Sequence, residues 1–277
     1  MRVHHLACGT LHPPLVPGHM VCHCLLVETP KDGLVLVDSG LGSVDLAAPV
    51  ARLGKAFTKV IRPRRDPAAA AIERVRALGH DPADVRHVVL THMDLDHVGG
   101  LVDFPHARVH VHAVEHTTAM TATDLASRSR YLPAMWAHGA DFRTYQDEGE
   151  PWFGFEAVRD LEGLPPEILF VPLVGHTRGH SAVAVQSDRG WLLHAGDAYF
   201  DRGEVHARVR ECAVPLRIFQ TLVEVDRHAR LSNQDRLRDL AHARADVTIF
   251  SAHDARELAA LAGARSTTTP AASPERP

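Results

Sequence analysis

In the stretch Thr91-His92-Met93-Asp94-Leu95-Asp96-His97-Val98-Gly99-Gly100, four side chains able to ligate a metal, His92, Asp94, Asp96 and His97, fall within six residues. Imidazole nitrogens and carboxylate oxygens are the donors that divalent ions such as Zn, Fe and Mn take from proteins. Asp and His also cap helices and close turns, but this density is more than capping requires. Val85 to Leu90, just before the motif, is apolar and β-branched and reads as a buried strand. Gly99 and Gly100 allow a tight turn or a close backbone approach. The ligands would therefore lie on a loop leaving a rigid strand, where α/β proteins tend to place their chemistry.

Four further segments accompany this motif in order. They are Leu34-Val35-Leu36-Val37-Asp38-Ser39-Gly40, Gly175-His176-Thr177-Arg178-Gly179-His180, Leu193-His194-Ala195-Gly196-Asp197 and Phe250-Ser251-Ala252-His253-Asp254. Together the five resemble the landmarks of the metallo-β-lactamase-fold superfamily, spanning Asp38 to His253. The layout is closest to its lactonase-like members. Two departures stand out: Asp94 occupies the place of the second histidine of His-x-His-x-Asp-His, and Arg178 replaces the proline of Gly-His-Thr-Pro-Gly-His.

The resemblance implies an α+β four-layer αββα sandwich and two divalent metal ions per chain. Carried over by position, His92, Asp94 and His180 hold one ion, Asp96, His97 and His253 the other, and Asp197 bridges them. Such a pair binds a water between its ions and presents hydroxide as a nucleophile. Zn is the ion implied by the family. The Asp94 carboxylate, harder than imidazole, tilts selection toward Fe or Mn, as does an acidic residue at this position in the family's diiron flavoproteins. Asp96 and Tyr199 are the catalytic candidates, Tyr199 as an oxyanion donor like the tyrosine of lactonases, although its spacing from Asp197 differs. Asp38 is expected to orient a ligating histidine or close its own turn. His176 and His194 are read as structural and Arg178 as exposed. Trp152, Phe153 and Phe155 either pack together or wall an acyl pocket.

The elements that must position these groups can be read in outline. Residues 1–19 form a strand and a loop, Met20 to Glu28 a strand, and Pro30-Lys31-Asp32-Gly33 the turn of a hairpin into Leu34–Asp38. Residues 45–65 are ambiguous. Asp66-Pro67 opens a helix that ends near Gly79, with Ile72, Val75 and Leu78 as its buried stripe. Strands follow at Ala107–His112, 168–172, 182–186 and 191–195. Two helices span Pro215–Arg230 and Ser232–Arg244, then come a strand at Asp246–Phe250 and a helix at 255–261. Asp188-Arg189-Gly190 and the strand ending on Asp197 echo the earlier hairpin ending on Asp38. Residues 1–263 are expected to form one domain, and 264–277, rich in Thr, Pro, Ser and Ala, a disordered tail.

Composition narrows the function. Apolar residues make up 45% of the 277 and charged residues 23%, an ordinary globular balance. A net charge of −4 offers no basic field for nucleic acid. No secretory signal opens the chain and no apolar run could cross a bilayer, so a soluble, cytoplasmic protein is expected. Cys8, Cys22, Cys24 and Cys212 lack metal-site spacing and read as reduced thiols. A homo-oligomer is compatible with all of this. The leading expectation is a hydrolase of a small-molecule ester or lactone. A phosphoesterase or thioesterase on the same site is the nearest rival. A diiron oxidoreductase, for which no flavin segment is left over, and a binding-only module come after it.

Overall fold

The computed structural model describes residues 1–14, 16–146, 149–155 and 159–263; the expected C-terminal tail lies outside them. Among the described residues eleven strands form two sheets. The first runs in chain order through β1 (Arg2–Leu11), β2 (Met20–Glu28), β3 (Leu34–Val37), β4 (Val85–Val89), β5 (Arg108–His112) and β6 (Asp141–Tyr145). The second comprises β7 (Arg159–Asp160), β8 (Ile168–Pro172), β9 (Ser181–Ser187), β10 (Gly190–His194) and β11 (Val247–Phe250), ordered β11-β10-β9-β8-β7.

β2, β3, β8 and β9 are buried along most of their length because both faces of each sheet are covered there. Successive strand residues point to opposite faces. Cys22, Cys24, Leu26, Leu36 and Val88 accordingly pack under the helices outside the first sheet. Their neighbours Leu25, Val27, Val35, Val37 and Val89 meet Ile168, Phe170, Val183 and Val185 of the second sheet. Leu169, Val171, Ala182 and Ala184 face outward under helix Arg227–Ala243 through Leu237 and Leu240. Helix, sheet, sheet, helix is the αββα sandwich expected. Each buried Val, Leu or Phe contributes about 1.5–3 kcal/mol.

Local boundaries differ where tertiary contacts intervene. Residues 43–61 form three short helices, Ser43–Ala47, Pro49–Leu53 and Lys55–Ile61. The helix after Asp66 splits into a 3₁₀ turn, Pro67–Ala69, and Ala71–Ala77, with no cap from the Asp66 side chain. Val75 is buried, but Leu78 is exposed. The paired helices later in the chain are Val214–Val223 and Arg227–Ala243. The break falls earlier than expected because the Val225 and Asp226 N–H groups both donate to Gly175 O. Asp226 rather than Ser232 caps the second helix, accepting from the Ala229 N–H.

Both hairpins form as the echo suggested, β2 with β3 and β9 with β10. Each delivers its aspartate to the same edge of the sandwich. Gly99 and Gly100 serve close approach: a Cβ on Gly99 would lie 2.2 Å from Asp45 Oδ2, and one on Gly100 2.5 Å from Ser39 O. They clamp the motif loop against the loop that follows β3.

Candidate metal centre

His92 and Asp94 lie on the loop after β4, Asp96 and His97 on the short helix Leu95–Val98 that follows it, His176 on the loop between β8 and β9, Asp197 after β10 and His253 after β11. Two groups of donors result, His92 with His176 and Asp197, and Asp96 with His97 and His253; within each, the donor atoms all lie within 4.8 Å of one another. Asp197 spans both. Its Oδ2 is 3.3 Å from His176 Nε2 and 3.8 Å from His92 Nε2, and its Oδ1 is 3.1 Å from His253 Nε2 and 3.3 Å from His97 Nε2. Asp96 Oδ2 is 3.6 Å from His253 Nε2. Asp94 Oδ2 lies 3.0 Å from His176 Nε2 and 3.5 Å from His92 Nε2.

The imidazoles are oriented from behind. His97 Nδ1 is 2.8 Å from Asp38 Oδ2, and Asp38 also accepts from the Thr91 N–H and hydroxyl. His253 Nδ1 donates to Val21 O at 2.8 Å. With Nδ1–H spent on these acceptors, each Nε2 turns a lone pair toward a carboxylate, an arrangement that demands positive charge between them. Buried His92 Nε2, His97 Nε2 and Asp197 Oδ1 have no hydrogen-bond partner among the described residues. Orphaned acceptors of these types, convergent and buried, fit a pair of divalent cations. Burial opposes charge on His97, yet Asp197 and Asp38 outweigh it and raise its pKa well above the ordinary imidazole value. Burial likewise disfavours the Asp197 carboxylate, but His253, His97 and His176 hold it well below the usual range.

Two expectations, for His180 and Tyr199, need correction. His180 does not join the cluster: its Nδ1 donates to Leu173 O at 2.8 Å and its Nε2 accepts the Asp197 N–H at 2.9 Å, so both nitrogens are engaged. It is tied to the start of β9, while His176, the fourth residue after β8, reaches the donors. The signal was available, since the histidine adjoining a strand is held by the ladder and the one at the loop tip is free to reach inward. Tyr199 is fully buried away from the cluster, its hydroxyl donating to Glu257 Oε1 at 2.9 Å. The aromatic facing the donors is Phe200, whose ring lies 5.1 Å from that of His253 and 5.9 Å from that of His176. Trp152 and Phe155 pack with Trp191 under the second sheet and wall no part of the centre.

As expected, Arg178 is exposed and His194 is structural, donating to His23 O. Glu115 is an addition that sequence reasoning did not find. Buried, it accepts from the Met93 and Gly179 N–H groups and the Tyr131 hydroxyl, stapling the two ligand-bearing loops together. The donors open into a cleft of about 280 Å³ walled by Leu11, Met20, Phe57, Ile61, Phe219 and Val223.

A family model described as the metallo-beta-lactamase superfamily matches residues 17–253. The chain belongs to the metallo-β-lactamase superfamily. It is a metal-dependent hydrolase. A probable metallo-hydrolase of Mycobacterium tuberculosis is 43% identical over 92% of this chain and 80% of its own length. The N-acyl homoserine lactonase AttM of Agrobacterium fabrum is 33% identical over 80% of this chain and 78% of its own. The superfamily fold is also that of an N-acyl homoserine lactone hydrolase solved with N-hexanoyl-L-homoserine at its catalytic metal centre, with a TM-score of 0.67, 20% identity, and coverage of 92% and 94%. Among the described residues no helix is long and apolar enough to cross a membrane.

Proposed function

We propose that this chain hydrolyses small-molecule esters or lactones carrying an apolar group. His92, His176 and Asp197 hold one divalent ion and Asp96, His97, His253 and Asp197 the other, with Asp94 facing the first. When bound, such ions supply Lewis acidity and hydroxide at neutral pH. The observation that carries the reading is the buried donor cluster opening directly into an apolar cleft. The chain's own residues do the rest. Asp38 and Val21 O fix the rings of His97 and His253, and His180 fixes Asp197 through its N–H. Phe57, Ile61, Phe219 and Val223 seat the apolar group and exclude water from around the ester. Asp96, lining the cleft, takes the proton of the attacking water on Oδ1 and returns it to the leaving oxygen.

The cleft argues for a carboxylic ester over a phosphoester. Histidines aside, Arg130 is the cation among its described lining residues, and it is already committed, as described below, leaving none free for a phosphate. Sequence likeness to N-acyl homoserine lactonases points the same way. The test is a panel of γ-lactones with acyl side chains of increasing length, aryl esters, thioesters and phosphodiesters, with and without a chelator. Turnover of lactones or esters that rises with chain length and vanishes on chelation is expected. Turnover confined to phosphodiesters, or oxygen consumption without hydrolysis, overturns the reading.

A further inference from the structure

Asp94 is the position at which this chain departs from the family motif, and it does not stand alone. Arg130, largely buried at the end of helix Leu125–Arg130, places its Nε 3.1 Å from Asp94 Oδ1. Each of its other nitrogens makes a bond as well: Nη1 donates to His176 O at 3.2 Å and Nη2 donates to Val223 O. One guanidinium thus ties the motif loop to the loop that carries His176 and to the helix walling the cleft.

We infer that Arg130 is a positioning residue whose charge cancels that of Asp94, so that the pair presents the first ion with the charge of one neutral imidazole. Three carboxylates, Asp94, Asp96 and Asp197, crowd the donor cluster. Replacing an imidazole by a bare carboxylate there would add a full negative charge and blunt Lewis acidity at the first ion. With Asp94 Oδ1 turned to Arg130 and Oδ2 to His92 and His176, the carboxylate keeps its donor oxygen on the centre while its net charge is met from behind. The chain thereby retains the charge balance of a site with a third histidine. Arg130 is largely buried, so solvent screens the compensation less than it would at the surface.

The inference rests on the metal reading above, and a double-mutant cycle separates the two. Zinc content and zinc affinity, by competition with a chromophoric chelator, are measured for the wild type, Asp94→Asn, Arg130→Met and Asp94→Asn/Arg130→Met, with Arg130→Lys as the charge-preserving control and thermal melts for folding. Asp94→Asn leaves a buried, uncompensated cation beside the centre and is expected to weaken the first ion by a hundredfold or more. Removing Arg130 as well should restore at least tenfold of that loss. Arg130→Lys should bind zinc within a few-fold of the wild type, whereas Arg130→Met binds more tightly and shifts competition toward Mn. Equal losses in the single Asp94→Asn and double variants, or identical behaviour of the Lys and Met variants, overturn the inference. If Arg130→Met does not fold, the comparison of Asp94→Asn with Asp94→Asn/Arg130→Lys decides, since a retained cation predicts no rescue and rescue overturns the charge argument. A wild type that holds no zinc would instead sink the metal reading itself.

Discussion

His180 and Asp197 are joined through the backbone: the imidazole Nε2 accepts the aspartate's own N–H at 2.9 Å. This bond aims the Asp197 side chain at both donor groups, and it occupies the nitrogen that would otherwise bind metal. Removing His176 and removing His180 should therefore have different signatures. His176→Ala is expected to cost about one ion per chain at equilibrium by elemental analysis. His180→Ala should keep both ions at saturating metal but weaken them about 10- to 100-fold, the range for losing an orienting partner. Loss of one ion on His180→Ala with none lost on His176→Ala would reverse the assignment.

Asp38 lets the same logic be tested at the second group. Its carboxylate holds His97 Nδ1 and adopts a left-handed backbone conformation, φ 54°, to do so. Asp38→Asn keeps the size of the side chain but removes the charge behind His97. Because both carboxylate oxygens of Asp38 accept buried donors, a lower melting temperature of the metal-free protein is expected together with weaker zinc binding, and unchanged zinc affinity of the folded variant would clear Asp38 of the role.

Tyr199→Phe should leave turnover within a few-fold of the wild type, because the phenol bonds Glu257 inside the second half of the core. The cost appears in stability, about 1–3 kcal/mol for a buried acceptor left short of a donor, read by urea denaturation. A hundredfold fall in turnover at unchanged stability would return Tyr199 to the reaction.

Phe57→Ala and Phe219→Ala test the cleft. Each should reduce kcat/KM for long-chain substrates about tenfold or more while sparing the shortest, since removing apolar contact surface is worth about 1.5–3 kcal/mol per large side chain. An equal loss for short and long chains would place the substrate elsewhere.

Acid sensitivity has an identifiable source. In the first sheet the Glu162 N–H donates to the Tyr145 hydroxyl oxygen, which lies 2.7 Å from His110 Nδ1, and His110 Nε2 lies 2.9 Å from His87 Nδ1. Burial, with the neighbouring His87 and Arg143, holds His110 down to about 3. A depressed imidazole stabilises the fold above its unfolded value near 6.5 and loses that contribution as pH falls toward 3. Between pH 7.5 and 4.5 the stability difference between wild type and His110→Leu should shrink by about 3 kcal/mol. A difference independent of pH would clear His110 of the effect.

The architecture was largely legible because the central strands β2, β3, β8 and β9, covered on both faces, are mostly apolar and the ligand motifs fall just past strand ends. The aspartates of the two hairpins and the His92–His97 loop could be placed from pattern alone. What escaped depends on side-chain direction and distant pairing. His176 and His180 are chemically identical, and only the ladder contact of His180 separates them. Phe200, not Tyr199, faces the donors because the chain turns after β10, the Ala198 N–H donating to Ala195 O, so no strand alternation carries on past Asp197. Arg130 and Glu115 act through partners dozens of residues away, where no local spacing betrays them. Part of the cleft wall, Phe57 and Ile61, came from the ambiguous stretch 45–65, whose last short helix buries no residue and so leaves a weak periodic signal.

The donor cluster draws on both sheets: His92, Asp94, Asp96 and His97 follow β4, whereas His176, Asp197 and His253 follow strands of the other sheet. Ions seated there would rivet the two halves of the sandwich along one edge. Chelation should then act as a mechanical uncoupling as well as a loss of chemistry, with amide exchange quickening first at the paired ends of β4, β10 and β11 and the far edge of each sheet left protected.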